Sequence, residues 1–174
     1  MADPKKITDA PGPLEMEGAK DSIAFMLSRV GASVAEQFAA SMSEHGLVPR
    51  QFLVLNLISA HEGESQTAIS ASIGVAKSRM VSVIDELESK KLVERRVNPF
   101  DRRQHALFLT KAGRELRDRA RESAAELEER IRGLLSASGA KSLLDSLHKV
   151  AEIDDTPPGI HPGLAKKLHM EDPH

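Results

Sequence analysis

Apolar residues recur along most of the chain with the period of about 3.6 residues that is typical of an amphipathic helix. The first apolar stripe is formed by Ile23, Leu27, Val30, Val34 and Phe38. It predicts a long helix over roughly residues 19–44 that ends before Gly46. Pro49 is well placed as the first residue of a second helix, which is apolar nearly all round and is therefore expected to be buried.

Two short amphipathic segments come next, and a tight turn separates them. Ser65 is a suitable N-cap for the first segment. The inward face of the second segment is formed by Met80, Val83, Ile84 and Leu87. Between the two lies the turn Gly74-Val75-Ala76. Two short helices joined by such a turn are the signature of a helix-turn-helix.

The apolar pattern then changes to the alternation that is typical of β-strands. Residues 92–97 and 105–109 are two short β-prone runs, and Asn98-Pro99-Phe100-Asp101 supplies the turn between them. Arg102 and Arg103 lie at the tip of this predicted hairpin. A hairpin with two adjacent arginines at its tip, placed directly after a helix-turn-helix, is suited to binding a nucleic-acid backbone.

Two more amphipathic helices complete the pattern. Thr110 caps the first of them, which is long, and the second is predicted to begin after Gly139. Together with the first helix of the chain, they are too long and too apolar on one side for the small central lobe to cover. We therefore expect antiparallel packing against a second copy, which gives a homodimer.

The predicted fold is mainly α with a small β-wing. A winged helix-turn-helix lobe at about residues 49–110 is flanked by dimerisation helices at about residues 19–44 and 110–153. Residues 1–17 and 156–174 contain several prolines and glycines, so we predict mobile extensions on both sides of a single domain of residues 18–155.

The basic residues are concentrated in one segment. The formal net charge of the chain is -2, so any surface that binds nucleic acid must be local. Between Lys90 and Arg103, six basic residues stand against two acidic ones. Trp and Tyr are absent and only five Phe are present, which leaves little for stacking on single-stranded bases. Double-stranded DNA is the expected partner.

Several other classes of protein are disfavoured by what the sequence lacks. The chain has no cysteine, which excludes disulfides and thiolate zinc sites. No apolar run approaches membrane-spanning length and the N-terminus is polar, so we expect a cytoplasmic protein with no membrane contact. There is no G-x-S-x-G elbow, phosphate loop or H-E-x-x-H motif, so we expect no catalytic residues and no enzymatic activity.

Two alternatives remain open for the same fold. The first is a metal sensor, because His45 and His61 have Glu44 and Glu62 beside them. No histidine spacing in the chain matches a known pair of ligands, so we assign no metal-binding residue. The second is a winged helix used for protein–protein assembly, which leaves the paired arginines at the hairpin tip unexplained.

The chain resembles the MarR-like (multiple antibiotic resistance regulator) family of winged-helix transcription factors. The resemblance is carried by residues 47–55, 73–88 and 91–95, and by Asp101-Arg102-Arg103 followed by Leu109-Thr110-Lys111-Ala112-Gly113. An Asp-x-Arg wing joined to Leu-Thr-x-x-Gly is quite specific when it follows a helix-turn-helix at this spacing. The resemblance implies a dimer that binds a near-palindromic operator, usually as a repressor that a small ligand releases.

The N-terminal turns of the second helix in a helix-turn-helix present side chains to base edges in the major groove. The outward residues here are Lys77, Ser78, Arg79 and Ser82. We expect Arg79 to contact a base edge, ideally that of a guanine. The alternative is that Arg79 contacts only phosphate or solvent. Lys77 and Ser78 are assigned to phosphate, and Ser82 to either.

The hairpin tip is expected to bind the minor groove. Asp101 would orient the tip through its own backbone and a nearby arginine. Either Arg102 or Arg103 would enter a narrow, A·T-rich minor groove, where negative potential is concentrated.

Two further pairs of residues are candidates for DNA contact. Gln66 and Thr67 lie near the start of the third helix and could bind phosphate beside its dipole, although a solvated helix start explains them equally well. Arg95 and Arg96 are neighbours on a strand, so their side chains face opposite ways and at most one faces DNA. We include Arg95 among the candidates.

The family resemblance also implies a ligand pocket between the dimerisation helices and the DNA-binding lobe. Ligands of this class include aromatic carboxylates, phenols and their acyl-CoA thioesters, and no other cofactor is expected. The candidate lining residues are Met26, Arg29, Val30, Phe38, Met42, Arg50 and Phe52. Ordinary core packing for the apolar residues and surface positions for the two arginines are the alternative.

Overall fold

Six helices and one β-hairpin make up the part of the chain that the structure describes. The computed structural model describes residues 21–72, 77–97 and 105–153, with the side chains of Lys77 and Arg79 left out of the description. In chain order the elements are α1 (Ile23–Glu44), α2 (Pro49–Ala60), α3 (Gln66–Ser72), α4 (Lys77–Ser89), β1 (Val93–Val97), β2 (His105–Leu109), α5 (Lys111–Gly133) and α6 (Ala137–Ala151).

Four of the predicted features lie outside the described residues. These are the turn Gly74-Val75-Ala76, the hairpin tip Asp101-Arg102-Arg103 and the two terminal extensions. The mainly helical fold with a small two-stranded sheet is as predicted.

Helix α1 crosses the boundary between two compact units of the chain, which falls between Glu36 and Gln37. It begins at Ile23, where the sequence predicted a start near residue 19. The hydroxyl of Ser22 accepts a hydrogen bond from the N–H of Phe25 at 3.3 Å, which explains the later start. The large apolar residues exposed in the first unit are Ile23, Phe25, Met26, Leu27 and Val30.

The core of the second unit is built mainly from α2, α4 and the β-hairpin. Pro49 is the first residue of α2, as predicted, and Val54, Leu55 and Ile58 of this helix are completely buried. The inward residues predicted for α4 are all buried, and they are Met80, Val83, Ile84 and Leu87. These contacts fix the inner face of α4, so its opposite face is the one turned to solvent.

The hairpin is attached to the residues that precede α3. Strands β1 and β2 pair antiparallel, with Val93 opposite Leu109. On the outer edge of β2, the N–H of Leu107 donates to the carbonyl of Glu64 at 3.0 Å. The carbonyl of Leu107 accepts from the N–H of Gly63, also at 3.0 Å. The Ser65 hydroxyl caps α3 by accepting from the N–H of Ala68 at 3.2 Å, as predicted. The hairpin is therefore fixed to the start of the helix-turn-helix.

A close backbone contact joins the start of α5 to the segment before β1. The Thr110 hydroxyl accepts from the N–H of Gly113 at 3.0 Å and donates to the carbonyl of Lys91 at 2.7 Å. A β-carbon on Gly113 would lie 1.9 Å from the carbonyl oxygen of Leu92, so only glycine fits at this position. The Leu-Thr-x-x-Gly pattern in the sequence therefore marks the junction between the hairpin and α5.

Helix α6 begins at Ala137, so the predicted start after Gly139 is wrong. The hydroxyl of Ser136 accepts a hydrogen bond from the N–H of Gly139 at 3.1 Å, which makes Ser136 the N-cap. No residue of α6 is buried in the single chain. Its large apolar residues are more than a third exposed, and they are Leu143, Leu144, Leu147 and Val150.

No described helix combines the length and the apolar character needed to cross a membrane.

Candidate nucleic-acid interface

The N-terminal part of α4 presents small polar side chains to solvent. Ser78 and Ser82 are both exposed and lie one helical turn apart, opposite the buried face that contains Met80 and Ile84. The backbone of Lys77 and Arg79 belongs to the same helical turns, which places both residues at the N-terminal end of α4. A surface of this kind can approach base edges and phosphates without steric obstruction from large apolar side chains.

The start of α3 contains two further candidate residues for DNA contact. Thr67 is exposed and Gln66 is partly buried, in the first turn after the Ser65 cap. The Ser65 hydroxyl is already used by the N–H of Ala68. Thr67 is therefore the more accessible of the two candidates at this helix start.

The two arginines of β1 face opposite sides of the hairpin, as the strand alternation predicted. Arg96 lies over the ring of Phe108, with its guanidinium carbon 4.4 Å from the ring centroid, and forms an ion pair with Glu94. Arg95 is turned toward α4, where its guanidinium forms ion pairs with both Asp85 and Glu88. Arg95 therefore has two protein carboxylates as partners, a contact that strand alternation alone could not reveal.

A polar network connects α2 and the loop between α1 and α2 to the C-terminal half of α4 and to Lys90, the residue that follows α4. The side chain of Gln51 donates to Glu86 at 2.7 Å and accepts from the ammonium of Lys90 at 3.2 Å. Lys90 also donates to the carbonyl of Gly46 at 2.9 Å. Gln51 is only 4% exposed, so these bonds satisfy a polar side chain inside the core.

The sequence did not predict this network, because only the apolar residues of α2 form a recognisable pattern. A glutamine two positions after the first residue of a buried helix was the available signal, since a buried amide needs hydrogen-bond partners. The partner residues are separated from it by 35 positions or more, and no local pattern identifies them.

The candidate effector-binding residues fall in both units of the chain. In the first unit Met26, Arg29 and Val30 are all exposed. In the second unit the group consists of Phe38, Met42, Arg50 and Phe52.

Three of the four candidates in the second unit are apolar, and two of these are aromatic rings in contact. The rings of Phe38 and Phe52 meet edge to face with centroids 6.0 Å apart, and Met42 is completely buried. The guanidinium of Arg50 lies 3.4 Å from a carboxylate oxygen of Glu86 on α4. An aromatic pair can contact the ring of an aromatic acid, and a guanidinium can bind its carboxylate.

The histidines considered for a metal sensor have other contacts or no ligand partners nearby. The Nε2 atom of His45 lies 2.8 Å from the hydroxyl of Ser123, which is a hydrogen-bond distance. Within residues 21–72, 77–97 and 105–153, no three His, Asp or Glu side chains group closely enough to hold a metal ion.

Comparison with known proteins identifies the family. The family model described as MarR family matches residues 45–104. The HTH-type transcriptional regulator MhqR of Bacillus subtilis (strain 168) is 32% identical over 127 residues, which cover 72% of this chain and 86% of MhqR.

Solved structures of the repressor CouR share the fold. CouR bound to a 23-mer DNA duplex matches with a TM-score of 0.68 and 33% identity, over 80% of this chain and 99% of that chain. CouR from Rhodococcus jostii RHA1 bound to p-coumaroyl-CoA matches with a TM-score of 0.62 and 32% identity, over 78% of this chain and 96% of that chain. These relatives are transcriptional regulators and not enzymes. The chain belongs to the MarR family of winged-helix transcriptional regulators.

Proposed function

We propose that this transcriptional regulator is a cytoplasmic repressor that binds a near-palindromic DNA operator as a homodimer and releases it when a small effector binds. The observation that carries the proposal is the exposed N-terminal part of α4, with Ser78 and Ser82 at its surface, in a fold similar to that of a repressor bound to DNA. A helix presented in this way fits the major groove.

The proposed DNA contacts come from three elements. Arg79 contacts a base edge, Lys77 and Ser78 contact phosphate, and Ser82 contacts either. Gln66 and Thr67 supply phosphate contacts at the start of α3. In the hairpin tip, Asp101 orients the turn and Arg102 or Arg103 enters the minor groove.

The proposed dimer rests on the apolar faces that the single chain leaves exposed. The exposed apolar residues of α6 occur at positions 143, 144, 147 and 150, which is the spacing of one helix face. Each of these side chains is 37–45% exposed in the single chain, so covering it contributes only a part of the roughly 1.5–3 kcal/mol that full burial of an exposed side chain gives. Several per subunit are enough to stabilise a symmetric dimer.

The proposed effector is an aromatic carboxylate, a phenol or an acyl-CoA thioester of such an acid. Phe38 and Phe52 offer apolar contacts and Arg50 offers a cation, whereas Met42 is completely buried and would have to become exposed to reach a ligand. Met26, Arg29 and Val30, which lie in the first unit, remain candidates from the sequence alone. The complex of the related CouR with p-coumaroyl-CoA supports this class of ligand.

Selection of bound duplexes from a random DNA pool tests the proposed function. We expect enrichment of an inverted repeat with half-site centres about 10 bp apart. Adding p-coumarate, p-coumaroyl-CoA or related aromatic acids should then release the selected duplex. If no sequence is enriched with or without these compounds, the lobe serves a purpose other than operator binding, and salt-insensitive binding to a protein partner would indicate assembly instead.

A further inference from the structure

The contact between Arg95 and α4 restricts both the distance between β1 and α4 and the rotation of the strand relative to the helix. One guanidinium nitrogen of Arg95 pairs with Asp85, and another pairs with Glu88. Asp85 and Glu88 are three positions apart on α4, so they lie on one face of the helix, one turn from each other. A planar guanidinium that bridges two fixed points holds the strand at one angle to the helix, which a single ion pair cannot do.

The position of Arg95 along β1 makes this bridge important for the hairpin. Val93, at the start of the strand, is buried, whereas Arg96 and Val97 at its end are exposed. Arg95, in the middle of β1, is therefore paired with α4 at the point where the strand becomes exposed. Its side chain is only 22% exposed, which agrees with an internal role.

The local charge disfavours a phosphate at the same place. The guanidinium of Arg95 carries one positive charge, and Asp85 and Glu88 together carry two negative charges. The cluster is therefore net negative, and a DNA phosphate brought to Arg95 would also approach both carboxylates. An arginine that binds a DNA phosphate is expected to have no carboxylates paired with it.

We propose that Arg95 is a positioning residue that fixes the hairpin at a set angle to α4 through Asp85 and Glu88, and that it does not contact DNA. In the proposed complex α4 occupies the major groove and the hairpin tip reaches the minor groove, so this angle sets the distance between the two contacts. The inference builds on the proposed DNA binding for its consequence, but the bridge itself can be tested without DNA.

The first experiment measures the distance between α4 and β1 in the free protein. Because the chain has no cysteine, Ser82→Cys and Val97→Cys place two spin labels at exposed positions on the two elements. Dilution with unlabelled protein restricts the signal to distances within one chain. We expect one narrow distance distribution for the parent, and a broadened or shifted one for Arg95→Met and for the double variant Asp85→Asn with Glu88→Gln.

The matched control is Arg96→Met, on the same strand but facing the other side. It should keep the narrow distribution. An unchanged distribution in both Arg95→Met and the carboxylate variant would overturn the proposal. If Arg95→Met does not fold, the carboxylate variant gives the result alone, because Asp85 and Glu88 are 57% and 41% exposed and tolerate neutral isosteres.

The second experiment separates positioning from phosphate contact by the salt dependence of DNA binding. For Arg95→Met we expect the ratio of operator to random-duplex affinity to fall about tenfold, with no change in the slope of log affinity against log salt. Loss of a phosphate ligand would instead reduce that slope by about 0.9 for each arginine removed. Arg95→Lys, which offers a single point charge, should recover only part of the specificity, and full recovery would contradict the need for a bridging guanidinium.

Failure of the proposed function and failure of this inference give different results. If the protein binds no operator, the spin-label distances still show whether Arg95 fixes the hairpin. If it binds an operator and the slope falls with Arg95→Met, Arg95 is a phosphate ligand and the inference is wrong.

Discussion

At the scale of single residues, the side chains on the exposed and buried faces of α4 have different roles. Ser78 and Ser82 lie at the surface, whereas Met80 and Ile84 are completely buried. The sequence placed Ser78 and Ser82 on the exposed face, and Met80 and Ile84 on the buried face, because a helix of known start position has a fixed periodicity. It could not identify the partners of Asp85 and Glu88, because those contacts depend on how the hairpin folds back.

The first prediction concerns the proposed division of labour between Arg79 and Lys77. Arg79→Ala should remove sequence preference at one position of each half-site, because a bidentate contact to guanine contributes about 1–3 kcal/mol of discrimination. Binding of the parent and variant to a panel of single-base operator variants measures this effect. Lys77→Ala is the control, and it should weaken all duplexes equally and reduce the salt slope by about 0.9 per subunit. Equal weakening of all operator variants by Arg79→Ala would make Arg79 a phosphate ligand.

The second prediction concerns Gly113. Gly113→Ala places a β-carbon 1.9 Å from the backbone oxygen of Leu92, so the α5 start and the segment before β1 must move apart. We expect the free energy of unfolding to fall by about 1–3 kcal/mol or more, as for other overpacked sites. Urea unfolding followed by circular dichroism measures the change.

Gly133→Ala is the matched control in the same helix, because its β-carbon would meet no atom within 4 Å. It should leave the free energy of unfolding unchanged or raise it slightly. Equal stability of the two variants would show that the backbone contact at Gly113 is not as close as the structure has it.

At the scale of elements, the helix-turn-helix is held to its surroundings by polar as well as apolar contacts. Gln51 connects α2 to Glu86 of α4, Lys90 connects the residue after α4 to the α1–α2 loop, and Arg95 connects β1 to α4. The number and order of the elements followed from periodicity, caps and turn residues. The start of α6 did not, because Gly139 was interpreted as a helix boundary while Ser136 supplied the cap.

The third prediction tests the polar network between α2 and α4. Gln51→Leu leaves the carboxylate of Glu86 without its 2.7 Å hydrogen bond and Lys90 without its amide partner. Because Glu86 keeps its ion pair with Arg50 and Lys90 keeps the carbonyl of Gly46, we expect the free energy of unfolding to fall by about 0.5–1.5 kcal/mol for each hydrogen bond lost. A double-mutant cycle with Glu86→Leu measures the coupling between the two side chains.

The outcome of the cycle depends on whether the network acts as a unit. If it does, the double variant should be closer to the parent than the sum of the single changes predicts, since replacement of both partners can be nearly neutral. Additive losses would mean that Gln51 and Glu86 contribute independently and that the bond between them has little energetic value.

At the scale of the whole molecule, the apolar face of α6 and the position of α4 together indicate how the protein would use symmetry. A dimer with two-fold symmetry carries two α4 helices and reads two half-sites in opposite orientation. The sequence predicted the need for a second copy because the long helices are apolar on one side. It could not identify the operator or the effector, because both depend on details of surfaces that a periodic pattern does not encode.

The spacing of the two half-sites tests the central claim that a symmetric dimer reads one operator with both lobes. Affinity for the selected inverted repeat should be compared with that for the same repeat lengthened by about 5 bp, which moves one half-site to the opposite face of the duplex. We predict that the lengthened duplex binds at least about a hundredfold more weakly, close to random DNA. Leu147→Glu, which places a charge on the exposed apolar face of α6, should show the same weakness on both duplexes. Equal affinity of the parent for the two spacings would contradict the account, because it would mean that each lobe binds its half-site independently.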